Sequence, residues 1–176
     1  VKKIVGVFLL AVLLVQSVFA AHHKPGENTK KTQVGYDTTE GVRAPLYGGS
    51  LDTVEVWMRY MKAHDDNDLK AIREANADDF KAWASDGSVI ENTDAQIALL
   101  TDWFATSNPK WIHKYSIANE FTDQEGKLQQ WVTTGWELTE TVDDAEVKRQ
   151  EIFDVLIADG KIKTIYIAAR PINESE

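Results

Sequence analysis

Residues 110–170 read as four strand-length segments joined by three short polar turns, and no other feature of the chain constrains its fold as much. The segments are 110–122, 128–141, 146–157 and 161–170. Asp123-Gln124-Glu125-Gly126, Val142-Asp143-Asp144-Ala145 and Ala158-Asp159-Gly160 separate them. Turns of this length reverse the chain directly, so successive strands pair antiparallel. A parallel neighbour would need a crossover of about a dozen residues, and these turns leave no room for one.

Helical periodicity precedes the strands. Ser50 suits an N-cap, and Asp52 and Glu55 favour the positive end of the helix that follows. Leu51, Val54, Trp57, Met58 and Met61 recur at three and four residues as one apolar stripe, widened by Val56 and Tyr60. Asp65-Asp66-Asn67-Asp68 breaks that helix, and Asp68 caps a second over residues 69–77. A strand is expected over 80–84, followed by the turn Ser85-Asp86-Gly87-Ser88. Asn92 or Thr93 caps a third helix with Ile97, Leu100, Trp103 and Phe104 inside, and Asn108-Pro109 ends it. The sum is α+β: three helices, then a strongly bent antiparallel sheet with the helices on one face.

The first twenty residues read as an export signal. Lys2 and Lys3 precede an apolar run over 4–15, and Val18-Phe19-Ala20-Ala21 offers small residues for cleavage after Ala20. The run is shorter than the roughly 20 apolar residues of a membrane span, so no stable membrane anchor is expected. The mature protein is then periplasmic or secreted. Residues 21–49 lack periodicity and read as a leader arm, flexible or laid over the domain surface. The folded domain covers residues 50–171, with a tail over 172–176.

Composition removes several function classes. Nineteen basic against 28 acidic residues give a net charge of −9, the wrong sign for a nucleic-acid footprint. The absence of cysteine excludes disulfides, thiol nucleophiles and cysteine-held metals. No cofactor fingerprint is present. Of the four histidines, His22, His23 and His64 lie away from the sheet, so no metal cluster is expected in the domain. Cleavage after Ala20 would place His23 third from a free amine, a square-planar site for Cu(II) or Ni(II); a solvated pair of tail residues is the plainer reading.

Two stretches carry a resemblance. One runs from Arg59-Tyr60 through Asp68-Leu69 to Ala77-Asp78-Asp79 and Asp86-Gly87-Ser88; the other runs from Asp154-Val155 to Asp159-Gly160-Lys161-Ile162. In order and spacing they resemble the nuclear-transport-factor-2-like superfamily, which includes SnoaL-like polyketide cyclases and ketosteroid isomerases. The resemblance covers about residues 50–171. It implies a cone in which the sheet curls around the helices and leaves a pocket open at one end. It also places Tyr60 at the isomerase's oxyanion tyrosine and Asp154 near its second oxyanion acid. The catalytic base falls at Ala84, which cannot accept a proton, so isomerase chemistry by that base is disfavoured. Asp86 could replace it only if the turn bends inward.

Strand alternation selects the pocket residues. On the first long strand Trp111, His113, Tyr115, Ile117 and Asn119 share one face, and the mostly polar opposite face is expected outside. His113, Tyr115 and Tyr60 are therefore expected at the pocket, with Trp83 and Trp131 the favoured pair among the six tryptophans. His113, Tyr60 and Asp154 are the candidate catalytic groups, with Asp154 able to reach His113 across the sheet. His64, beside an acidic turn, is expected to be exposed. The leading function is an exported domain that binds a small hydrophobic or aromatic molecule in an aromatic-lined pocket. The alternatives are an isomerase, cyclase or dehydratase using His113, and a homodimeric interaction module pairing through the outer sheet face.

Overall fold

A computed structural model describes residues 31–38 and 41–172. The expected signal segment and His22 and His23 lie outside them. The described chain runs β1 (Gln33–Asp37), β2 (Ala44–Gly48), α1 (Leu51–Asp65), α2 (Leu69–Ala75), β3 (Asn76–Trp83), β4 (Val89–Ile90), α3 (Thr93–Ser107), β5 (Lys110–Thr122), β6 (Leu128–Val142), β7 (Ala145–Ala158) and β8 (Lys161–Pro171). The eight strands form one sheet in the order β1-β2-β5-β6-β7-β8-β3-β4. The three hairpins pair antiparallel as their turns require. β3 joins β8 in parallel, which the intervening chain allows.

The helix starts follow from their caps. The side chains of Ser50, Asp68 and Asn92 accept the backbone N–H groups of Asp52, Ala71 and Ala95. Each such cap is worth about 1 kcal/mol. The buried stripe of α1 is Thr53, Trp57, Tyr60, Met61 and His64. It is rotated from the expected one: Leu51, in the first turn, is 74% exposed. α3 ends at Asn108, which takes the left-handed conformation just before Pro109.

The helix-covered face of the sheet follows alternate residues of the two central strands. Val132, Thr134, Trp136, Leu138 and Glu140 of β6 are buried there, as are Glu151, Phe153, Val155 and Ile157 of β7. β5 does not keep one alternation along its length. Trp111 and His113 oppose Leu138 and Trp136, but Tyr115 opposes Gly135 and Ser116 opposes Thr134. A bulge between His113 and Tyr115 absorbs one residue. Beyond it Ser116, Ala118 and Glu120 take the helix-covered side, and Tyr115, Ile117 and Asn119 turn to the outer face. This corrects the single-face reading of that strand.

Hydroxyl groups hold the bulge. The Ser116 hydroxyl lies 2.9 Å from His113 Nε2 and 2.8 Å from the Thr134 hydroxyl. Thr134 donates to the Tyr115 carbonyl at 2.7 Å and accepts the Trp136 indole N–H at 2.9 Å. Gly135 makes room on the other side, because a Cβ there would sit 2.3 Å from the Tyr115 ring.

The arm expected to lack regular structure contributes β1 and β2. β2 reaches β5 through Tyr47 opposite Glu120 and Gly48 opposite Asn119. Gly49 donates its N–H to the Ala118 carbonyl at 3.0 Å, and a Cβ there would meet Asn119 N at 3.0 Å. Only glycine fits so close a crossing of two backbones. Lys31 pairs with the buried Glu120 beside it.

Gly135→Ala should lower stability by about 1–3 kcal/mol in urea unfolding, as overpacking does. The loss should shrink when Tyr115→Ala removes the ring. Equal losses in both backgrounds would refute this account of the bulge.

Candidate functional site

A cavity of about 520 Å³ lies between the helices and the covered face of the sheet. The i, i+3, i+4, i+7 spacing of Trp57, Tyr60, Met61 and His64 turns one face of α1 into its wall. α3 supplies Gln96, Leu100 and Trp103; β5 supplies Trp111; β7 supplies Arg149, Glu151 and Phe153. The aromatic rings pack against one another. Trp57 lies 5.4 Å from Tyr60 and 5.3 Å from Phe153, and Tyr60 lies 4.6 Å from His64, centroid to centroid.

A polar relay orients Tyr60. The Asn76 amide donates to Gln96 Oε1 at 2.7 Å, and Gln96 Nε2 donates to the Tyr60 oxygen at 2.6 Å. With Gln96 as donor, the phenolic proton is directed elsewhere. Burial holds the Tyr60 pKa well above the usual phenol range, with Gln96 opposing weakly, so the group is a neutral donor. His64 Nδ1 donates to the Tyr60 backbone carbonyl at 2.9 Å. Burial pushes its pKa down to about 4, the carbonyl opposing, so the ring is neutral near pH 7. The Trp57 indole N–H is buried and has no acceptor in the protein.

Three charges meet beside the cavity, two of them in its lining. Arg149 and Glu151 are alternate residues of β7 and share a face; Arg149 Nε donates to Glu151 Oε1 at 2.9 Å. Arg149 Nη1 donates to Glu140 of the neighbouring strand. The Trp103 indole donates to Glu140 Oε2 at 2.6 Å, and the Trp111 indole donates to Glu151 Oε2 at 3.1 Å. Both carboxylates are buried, and one guanidinium answers the two.

Of the candidate catalytic and ligand-contact residues Tyr60, Trp83, His113, Tyr115, Trp131 and Asp154, Tyr60 alone lines this cavity. His113 is exposed, bonded to Ser116 and 4.8 Å from the Trp136 ring. Tyr115 is on the outer face across Gly135. Trp83 and Trp131 are also outside, on either side of Tyr166, whose ring centroid lies 4.7 Å and 6.2 Å from theirs. Asp154 accepts the Thr133 hydroxyl at 2.8 Å on that face, and burial raises its pKa. His113, Tyr60 and Asp154 are therefore not brought together, and His113 does not pair with Asp154. Trp131 and Asp154 line a separate outer groove of about 940 Å³, floored by the sheet and flanked by Leu46 of β2. Ala84 lines the inner cavity, but Asp86 stays exposed in its turn and accepts the Ser88 N–H at 2.8 Å. His64 is buried against Tyr60 and Trp111, not exposed. Sequence reasoning missed Gln96, Glu140, Arg149 and Glu151. The spacing of Arg149 and Glu151 at two along a strand was the available signal. No metal-binding group occurs among the described residues.

No protein-family model and no curated protein matches the chain. Solved structures do. An LEH-like epoxide hydrolase of M. tuberculosis superposes with a TM-score of 0.56 at 14% identity, covering 69% of this chain and 84% of that one. An NTF2-like protein of Burkholderia xenovorans gives 0.55 at 13%, covering 69% and 92%. A protein of Jannaschia described as a SnoaL-like polyketide cyclase gives 0.54 at 16%, covering 67% and 85%. At these identities the likeness establishes the fold: three helices on an open, bent sheet, the NTF2-like cone.

The lowered His64 pKa carries a sign. Between pH 6.5 and 4 the unfolded chain binds a proton at this residue that the folded chain excludes, so stability falls as pH falls through that window. The loss from pH 7 to 5 should be about 2 kcal/mol, and His64→Gln should remove it. An imidazole resonance titrating near its ordinary value would contradict this.

Proposed function

We propose that this chain is an exported small-molecule-binding domain whose ligand occupies the cavity between α1, α3 and the sheet. Export rests on the sequence of the first twenty residues. The observation that carries the pocket reading is an unused donor in an aromatic wall. Tyr60 lines the cavity, and its hydroxyl proton is left over once Gln96 has donated to its oxygen. A buried donor without an acceptor is costly, and a ligand oxygen would satisfy it. A few polar groups in a largely apolar pocket are the common form of a small-molecule site. Native mass spectrometry of protein recovered from its export compartment should show a one-to-one adduct. Ala84→Phe, which projects a ring into the cavity from its lining, should remove the adduct without unfolding the protein. An adduct that survives in that variant would contradict the assignment.

A catalytic reading is favoured by the Glu140–Arg149–Glu151 cluster. A carboxylate fixed at a cavity can take a proton from water, and a neutral phenol can donate to the oxygen that leaves carbon. One protein of similar fold is described as an epoxide hydrolase, whose reaction needs those two roles. In this reading Glu151 is the base and Tyr60 the donor. The protein should hydrolyse an aryl epoxide such as styrene oxide, and Glu151→Gln should lower kcat by about 100-fold or more. A wild-type protein with no turnover would dismiss it.

A further inference from the structure

The charge balance at the cavity specifies a ligand class, given the pocket reading above on which this inference rests. Glu140 and Glu151 are both buried, and Arg149 is the one cation paired with either among the described residues. Formally the cluster keeps one negative charge. Asp102, an exposed residue lining the same cavity, adds a second. The guanidinium charge is answered twice over, since Nε and Nη1 donate to two glutamates, so the net field at the cluster opposes an anionic ligand. His64 adds no charge while it is neutral.

The aromatic wall beside the cluster points the same way. The Trp103 and Trp111 rings meet edge to face at 5.4 Å, and each directs its N–H at one of the carboxylates. Donation to an anion makes an indole face more electron-rich, which strengthens its attraction for a cation. Tyr60, which lines the same cavity, offers a hydrogen-bond donor. We propose that the cavity selects an aromatic organic cation: an ammonium group held by Glu151 and the Trp103 and Trp111 rings, with an oxygen acceptor received by Tyr60.

Three probes of one shape test it by calorimetry on the full chain at neutral pH. They are 3-hydroxyphenyltrimethylammonium, its uncharged isostere 3-tert-butylphenol, and 3-hydroxybenzenesulfonate. The cation should bind about tenfold or more tightly than the isostere, and the sulfonate most weakly. Glu151→Gln should reduce that preference to about threefold or less. Asp102→Asn, on an exposed turn of α3 where folding is not at stake, should reduce it by about twofold. Equal binding of cation and isostere, or a preference for the sulfonate, would overturn the cation class and leave the pocket standing. Failure of all three to bind would overturn both. A preference unmoved in both variants would overturn the placement of the cation at Glu151.

Discussion

The β6–β7 ladder is the constraint on which the rest of this structure depends. Its pairing runs from Gln130 opposite Ile157 to Val142 opposite Ala145 without a register shift. Side chains alternate along both strands, so an unbroken ladder keeps their two covered faces in phase. Val132, Thr134, Trp136 and Leu138 then fall beside Phe153 and Val155, and α1 and α3 close over them. The same phase continues past the apolar centre. It delivers Glu140, Arg149 and Glu151 to one face at one end of the sheet. Irregularities fall on the neighbouring pairings, at His113 of β5 and between Leu156 and Ile157 against β8.

Those charged residues are costly where they stand. Losing the partner of a buried ion pair usually costs about 3–5 kcal/mol, whereas well-packed apolar residues in place of the whole cluster are often neutral or stabilising. Stability alone therefore gives little reason for two buried glutamates around one arginine. Glu151 and Arg149 line the cavity, and each glutamate receives the indole N–H of a tryptophan that lines it, which gives a better one. The same cavity is lined by Tyr60, whose hydroxyl proton Gln96 leaves unused. A ligand that carries both a cation and an oxygen acceptor answers the two.

Much of the fold was legible because local signals agreed. The caps at Ser50, Asp68 and Asn92, the turn chemistry of the three hairpins and the stripe of α3 each needed only near neighbours in sequence. The parts that were not legible depended on contacts distant in sequence. The Ser116–Thr134 contact and the space at Gly135 accompany a bulge on β5, and that single inserted residue moved Tyr115 and Ile117 to the outer face. Residues 33–37 and 44–48 lacked periodicity because they form two short paired edge strands, attached to β5 by two registered pairs. His64 looked exposed beside Asp65 and Asp66, yet it lies on the buried stripe of α1 one turn beyond Tyr60. The charged cluster was hidden by the rule that charged residues face outward, which holds for most of this chain and fails at the cavity.

The measurement that bears most directly on the central claim is the set of indole N–H resonances during titration with 3-tert-butylphenol. Trp57, Trp103 and Trp111 line the inner cavity, whereas Trp83 and Trp131 stand on the outer face. A ligand in the cavity should move the Trp57, Trp103 and Trp111 indole signals and leave Trp83 and Trp131 in place. Movement confined to Trp83 and Trp131 would put the binding site in the outer groove and contradict the account.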